Sequence, residues 1–346
     1  MCVHTSIGSG SKVLIIQTAF LGDVILATGL VETLQHSFPG IKIDFLLRKG
    51  NESLLANHPF INRTIILEKK DKTSEFWRLL KIVRKKHYDA VINLHRFAFS
   101  GIITGLSGAK FTAGFDKNPF SFLFTKKVKH ILEVKPQQEY EANFPHETDR
   151  NHSVLSTWVN IPKIRPRLYP AETDFEVVKP FQDADYICIA PASIWKTKRL
   201  TRKKWKELVQ SVPEDITVYL LGSADDKELN QSIIINAKRL NVVNMAGKLS
   251  LLQSGALMQG AKMNYVNDSG PLHIASAMNA PVKAFFLSTL PQFGFGPLSD
   301  NATVVEYPKA LACRPCGIHG RNACPAGHFK CADIEVEKFT SFLQSS

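Results

Sequence analysis

"KVLIIQTAFLGDVILATGLVETL", residues 12 to 34, holds a complete strand–turn–helix pattern. Val13, Leu14, Ile15 and Ile16 form a short apolar run, as in strands buried on both faces of a parallel sheet. From Val24 onward, Val24, Leu26, Ala27, Leu30, Val31 and Leu34 recur at helical spacing. The pattern predicts a turn between the two, with Gly22-Asp23 at its tightest point. The first such turn of an α/β chain often cradles phosphate with several glycines and the positive end of the helix. This one has a single glycine and a carboxylate that would repel phosphate. Asp23 calls for a different role.

The same alternation runs outward from this stretch. Residues 42–50, 63–69 and 88–95 read as strands, 51–59 as a short helix and 73–86 as an amphipathic helix. Residues 100–115 run through a helix into a strand, and helical periodicity returns at 151–160. A proline-punctuated run, "IPKIRPRLYPAETDFEVVKP", is the best linker candidate. A second alternating series starts at "YICIAPAS" (186–193) and continues to "VKAFFLS", and "DIEVEKFTSFLQ" predicts a final helix. Strand–helix alternation of this kind implies parallel, doubly wound sheets. The expected division is a first Rossmann-like domain over 1–170, a second over 171–332 with a Cys-rich loop at 313–331, and a C-terminal helix at 333–346.

With 346 residues, 44% hydrophobic and 21% charged, the composition is that of a globular protein large enough for two cores. No stretch approaches the roughly 20 apolar residues of a membrane-spanning helix. The opening "MCVHTSIGSGSK" lacks the apolar core of a signal peptide, so a cytoplasmic location is expected. The net charge of +12 is concentrated around 68–89 and 195–206. Such basic surfaces suit nucleic acid, an anionic membrane or a phosphorylated substrate, and each run also fits a plain solvated helix face.

Three strand-end loops of the second half stand out as ligand candidates. "NDSGPLHIASA" brings Asp268, Ser269 and Gly270 to a helix with Pro271 in its first turn and His273 beyond. Ser or Asp suits the cap, and proline the first helical turn. "PASIWKTKRLTRKKW" offers Lys198 and Arg199 for a diphosphate and Trp195 for a sugar or base. "LLGSADD" ends a strand at Gly222. None carries the GxGxxG of a dinucleotide fold or the GxxxxGKS/T of a P-loop. A capped helix without a ligand and a packed histidine are the plain alternatives.

These motifs together resemble the heptosyltransferase-type glycosyltransferases, family nine, in order from about residue 12 to 334. The "LGD" turn is similar to the opening of that family's acceptor domain, "PASIWKTKRLTRKKW" to its Lys-Arg loop, and "NDSGPLHIASAMNAPVKAFF" to its donor-site signature. "HETDRN" (146–151) resembles an interdomain motif, and "CRPCGIHGRNACPAGHFKC" the Cys-rich tail of one branch. The chain departs from the pattern at "TKRLT", where a Trp-Pro pair commonly follows the Lys-Arg, and over 115–140. The resemblance implies a GT-B architecture, two facing Rossmann-like domains with the acceptor domain first and the nucleotide-sugar domain second. It implies inverting transfer of a sugar, ADP-heptose being the expected donor, onto a lipopolysaccharide core or lipid A-type acceptor, with no cofactor needed for catalysis.

On that footing the residues take roles. Inversion by direct displacement needs a base for the acceptor hydroxyl, and Asp23 is the candidate. Trp195, Lys198, Arg199, Gly222, Asp268, Ser269, Gly270, Pro271 and His273 are expected at the donor. Asp268 is suited equally to capping the helix and to binding sugar hydroxyls. Gly22, Arg48 and Arg96 are expected at an anionic glycolipid, with peripheral contact at the inner membrane. Cys313, Cys316, Cys324 and Cys331 offer ligands for a structural zinc, although gaps of seven and six residues are not those of a standard zinc finger. Free thiols or redox chemistry stay open. Two other classes stand beside the transferase: a basic nucleic-acid-binding protein with a zinc knuckle, and a Rossmann epimerase or oxidoreductase. The first lacks an evident aromatic stacking array and the second a dinucleotide fingerprint, so no nucleic-acid partner is expected.

Overall fold

The computed structural model describes residues 7–68, 71–132, 137, 144–156, 160–341 and 343. The chain divides into two compact units, one of residues 1–131 with 145–169, the other of residues 132–144 with 170–346. The first unit is built from β1 (Lys12–Ile16), α1 (Leu21–Ser37), β2 (Lys42–Arg48), β3 (Ile61–Leu67), α2 (Lys72–Lys86), β4 (Ala90–Asn93), α3 (Ala98–Gly105), β5 (Phe111–Phe115), β6 (Lys126–Val128) and α4 (Glu147–Ser156). Its strands are parallel and lie in the order β3-β2-β1-β4-β5-β6. The apolar run Val13–Ile16 is central because helices cover both faces of its strand, and all four residues are buried. Asp71 starts α2 by accepting from the Thr73 and Ser74 N–H groups at 3.2 and 2.9 Å, and Leu79, Leu80 and Val83 bury its inner face.

The second unit contains α5 (Glu172–Val178), β7 (Tyr186–Ala190), α6 (Arg202–Ser211), β8 (Thr217–Leu220), α7 (Lys227–Ala237), β9 (Val242–Asn244), α8 (Leu251–Gly260), β10 (Asn264–Asn267), α9 (Gly270–Ala277), β11 (Val282–Phe286) and β12 (Ala302–Glu306). Its strand order, β12-β11-β10-β7-β8-β9, repeats the winding of the first sheet, and every pairing is again parallel. Trp205 meets Phe285 edge-on in its core, which Cys331, Ile334 and Val336 also enter. Among the described residues no helix is long and apolar enough to cross a membrane.

Several expectations need correction. Helix α1 starts at Leu21, so Gly22 and Asp23 occupy its first turn and the connection from β1 is made by Gln17–Phe20. Gly22 is therefore not the residue of the tight turn. The proline-rich run is no free linker over 164–169: Ile164 and Arg167 N–H donate to the Thr33 and Thr28 hydroxyls, and the Tyr169 hydroxyl to Glu32, all on α1. Residues 132–144, expected with the first domain, group with the second unit. Where a final helix was expected, the described residues of 333–346 form a short 3-10 turn, Val336–Phe339. Strand β6, three residues long, is too short for a period to show.

In each sheet the strand order reverses once, between β1 and β4 in the first and between β7 and β10 in the second. Ligands of open parallel sheets bind beyond the carboxyl ends of the strands at such switch points. The loops that leave β1 and β4, and those that leave β7 and β10, therefore define where sites belong.

Candidate functional site

At the first switch point, Phe20 precedes α1 in extended conformation and its N–H donates to Asp23 Oδ2 at 3.2 Å. An acid in the first turn is favoured by the helix dipole, and here it also caps a free backbone donor. Gly22 lies beside it, half-buried. Arg48 ends β2 with its guanidinium 5.4 Å from the centre of the Phe20 ring. Beyond β4, His95 is fixed by Thr18 Oγ1 at 2.8 Å from its Nδ1. Burial, and then the charges of Arg96 and Arg48, push His95 down to about 4, so it is neutral at pH 7.

Helix α4 packs on α1 and adds a buried ion pair to this group. Arg150 Nε donates to Glu147 Oε2 at 2.7 Å, and Arg150 Nη1 to the Pro145 carbonyl at 2.5 Å. Glu147 is 5% exposed and Arg150 3%. Burial raises Glu147 to about 7; Arg150 and Arg96 oppose the rise, and the charge of Asp23 adds to it. Asp23 and Glu147 are thus electrostatically coupled, with Arg96 and Arg150 as counter-charges. A carboxylate on a helix terminus among arginines can accept a proton while the cations hold an anionic group.

At the second switch point, the loop from β7 forms a 3-10 turn, Lys196–Lys198, with half-buried Trp195 before it and the Lys198 N–H donating to the Trp195 carbonyl at 3.0 Å. Lys198 Nζ stands 2.6 Å from Asp268 Oδ2, and the Thr289 hydroxyl donates to the same oxygen at 2.6 Å. Burial alone would raise Asp268, but Lys198, Thr289 and the charge of His273 hold it below the usual carboxylate range. Asn267 joins the two loops: its Nδ2 donates to the Pro191 carbonyl at 2.8 Å and its Oδ1 accepts from the Leu200 N–H at 3.0 Å.

The structure also separates roles that the sequence left open. Asp268 does not cap α9, because its carboxylate faces Lys198 and Thr289. Ser269 holds the cap position without a side-chain cap; its hydroxyl points to the Ala192 and Asn267 carbonyls at 3.5 and 3.4 Å. Gly270 and Pro271 form the first turn of α9, and His273 is buried in its second. Arg199 braces its own loop, donating from Nε to the Ser193 carbonyl at 2.5 Å. Gly222 was expected to end a strand, but β8 stops at Leu220 and Gly222 lies two residues beyond it in another loop, where its carbonyl accepts from the Gly247 N–H at 2.9 Å.

The zinc expectation is not supported by the geometry. Cys313, Cys316, Cys324 and Cys331 are free thiols, and Cys313 Sγ lies 3.8 Å from His328 Nε2. Among the described residues, no three His, Cys, Asp or Glu side chains are grouped so as to hold a metal ion. Cys331 is drawn into the apolar core, which pushes its thiol up to about 12 and disfavours a thiolate ligand.

Sequence inspection passed over Glu147, Arg150, His95 and Thr289. The acid and base three apart in "HETDRN" were the available signal for the first two, since that spacing puts them on one helix face. Thr289 has no local signal; the topology alone sets the loop after β11 beside Asp268.

A family model described as glycosyltransferase family 9 (heptosyltransferase) matches residues 76–320. Lipopolysaccharide heptosyltransferase 3 of Escherichia coli is 27% identical over 78% of this chain and 82% of its own length. Among solved structures, the E. coli ADP-heptose lps heptosyltransferase II aligns with a TM-score of 0.74 at 23% identity, covering 96% of this chain and 99% of that one. An E. coli heptosyltransferase solved with ADP, WaaC, aligns with a TM-score of 0.71 at 20% identity over 96% and 99%. The two parallel sheets are thus the GT-B fold class of these enzymes, and the chain belongs to glycosyltransferase family 9, the heptosyltransferases.

Proposed function

We propose that this glycosyltransferase moves a heptose from ADP-heptose to a phosphorylated lipopolysaccharide-core acceptor with inversion at the anomeric carbon. The observation that carries the reading is the position of the two charged clusters, each at a switch point of its own sheet. The Lys198–Asp268 pair supports a diphosphate site in the second unit, and Asp23 a base in the first. Asp23 takes the proton of the acceptor hydroxyl as that oxygen bonds to the anomeric carbon. The bond from that carbon to the diphosphate oxygen breaks, and ADP leaves with the electron pair. Lys198, Arg199 and the N–H groups at the start of α9 stabilise the charge that collects on ADP. These groups suffice for the charge, so the transfer as proposed calls on no cofactor. Trp195 and Gly222 border the remainder of the donor, and Asp268 with Ser269 its sugar hydroxyls.

Arg48 and Arg96 beside Asp23 suit phosphates on an anionic glycolipid. Helix α2 ends on Arg84, Lys85 and Lys86 and exposes Trp77 by 62%, which supports peripheral contact with an anionic cytoplasmic membrane face. Each basic residue near such a surface contributes about 1 kcal/mol. Turnover of purified enzyme with a core acceptor should be seen with ADP-heptose, and the product linkage should have the opposite anomeric configuration by NMR. Transfer from UDP-sugars with none from ADP-heptose, or retained configuration, would contradict the proposal.

A further inference from the structure

The Cys-rich segment takes part in none of these steps, yet its backbone is bonded to the loop after β7 and to the loop after β11 that carries Thr289. Thr197, buried beside Lys198, donates its N–H to the Arg321 carbonyl at 3.0 Å, and its hydroxyl accepts from the Arg321 N–H at 2.7 Å and from the Ser288 hydroxyl at 2.9 Å. Ser288 adjoins Thr289, the partner of Asp268, and its carbonyl accepts from the Cys316 N–H at 2.8 Å. Arg314 is 2% exposed and donates from Nε and Nη2 to the Thr289 carbonyl at 3.1 and 2.6 Å while pairing with Glu306 at 2.5 Å.

Gly320 is packed too tightly against this loop to carry a side chain without displacement. Its φ is +81°, and a Cβ there would stand 3.1 Å from Thr197 Oγ1, 3.1 Å from Ser288 Oγ and 3.2 Å from Lys198 Cγ. Gly317 and Gly327 also have left-handed backbone, φ +90° and +71°, but a Cβ on either would meet nothing within 4 Å. The segment therefore touches the lysine stem at one glycine and leaves its other two left-handed glycines clear.

We infer that residues 314–321 form a positioning clamp for the diphosphate-binding lysine, in which Gly320 and Thr197 fix the Lys198 stem and Arg314 and Cys316 fix the loop that supports Asp268. The inference rests on the donor site proposed above. A lysine loses much rotamer freedom when it binds a ligand, so a stem already held in place binds more tightly.

Calorimetric titration with ADP tests both levels. Lys198→Ala should weaken ADP at least about tenfold, as expected for a charge-assisted contact. Gly320→Ala and Thr197→Val should weaken it roughly fivefold, the scale of one hydrogen bond, and Thr197→Ser should restore it. Gly327→Ala, outside the clamp, carries the same kind of backbone strain and should bind ADP like the parent, with melting temperatures used to match the folded state of all variants. In turnover, Gly320→Ala should raise the donor KM more than it lowers kcat. Parent-like ADP affinity in Gly320→Ala and Thr197→Val, with Lys198→Ala weakened, would overturn the clamp and leave the donor site standing. Equal weakening in Gly327→Ala would do so too, since strain would then suffice. Parent-like affinity in Lys198→Ala would overturn the donor site and the clamp with it.

Discussion

Lys198 and Asp268, seventy residues apart in sequence, form an ion pair of a half-buried lysine with a buried carboxylate, Nζ 2.6 Å from Oδ2. Their meeting follows from topology: β7 and β10 are adjacent and parallel, with Ala190 beside Val266, so the loops that leave them emerge side by side. Buried pairs contribute little over apolar replacements, but losing one partner is costly because the other charge stays desolvated. In the reaction proposed above, the donor's diphosphate would take Lys198 as its counter-ion while the Thr289 hydroxyl keeps Asp268 in place.

Asp268→Asn should lower stability by about 3 kcal/mol in urea unfolding, the usual cost of orphaning one member of a buried pair. Lys198→Met in the same background should recover part of that loss. A double-mutant cycle with no coupling would mean that the two side chains do not act as a pair in solution.

Glu147 makes stability depend on pH in an unusual direction. Its folded value, about 7, lies above the ordinary 4.5, so between these limits the folded protein holds more protons than the unfolded chain. Its contribution to stability is therefore full at low pH and falls as pH rises towards 7. The loss reaches about 3 kcal/mol, because each tenfold difference in proton affinity between the two states is worth about 1.4 kcal/mol. Asp268 acts oppositely, losing its contribution as pH falls. Glu147→Gln should flatten the decline between pH 4.5 and 7 when its unfolding curves are compared with those of the parent. The same slope in both would exclude Glu147 as its source.

Gly101 guards the loop that carries His95 and Arg96. A Cβ there would fall 2.0 Å from Asn118 Oδ1, and the Asn118 amide donates to the His95 and Phe97 carbonyls at 3.0 and 2.9 Å. Gly101→Ala should cost roughly 1–3 kcal/mol by overpacking. It should also weaken binding of a phosphorylated acceptor, measured by surface plasmon resonance, while ADP affinity is kept.

How much was legible in the sequence differs by element. Val13–Ile16 and the periodic helix after them announced a parallel α/β chain, because an interior strand and its covering helix each have a strong local pattern. Strand order has no local pattern, and with it the pairing of Lys198 with Asp268 was out of reach, although both were candidates at strand ends. Glu147 and Arg150 looked like surface charges, since burial belongs to the packing of α4 on α1 and not to their own spacing. The cysteines drew attention to metal chemistry, whereas the bonds that tie their segment to Thr197 and Ser288 are made chiefly by backbone. Gly22 was assigned the turn because glycine suits tight turns, but the chain turns earlier and the glycine is helical.

The central claim is that Asp23 is the base of the transfer, and turnover of Asp23→Ala with ADP-heptose and a core acceptor, alongside its ADP affinity, tests it most directly. Loss of a general base predicts a fall in kcat of about 10²–10⁴ with ADP binding unchanged. Turnover close to that of the parent enzyme, in a variant that still binds ADP, would contradict it.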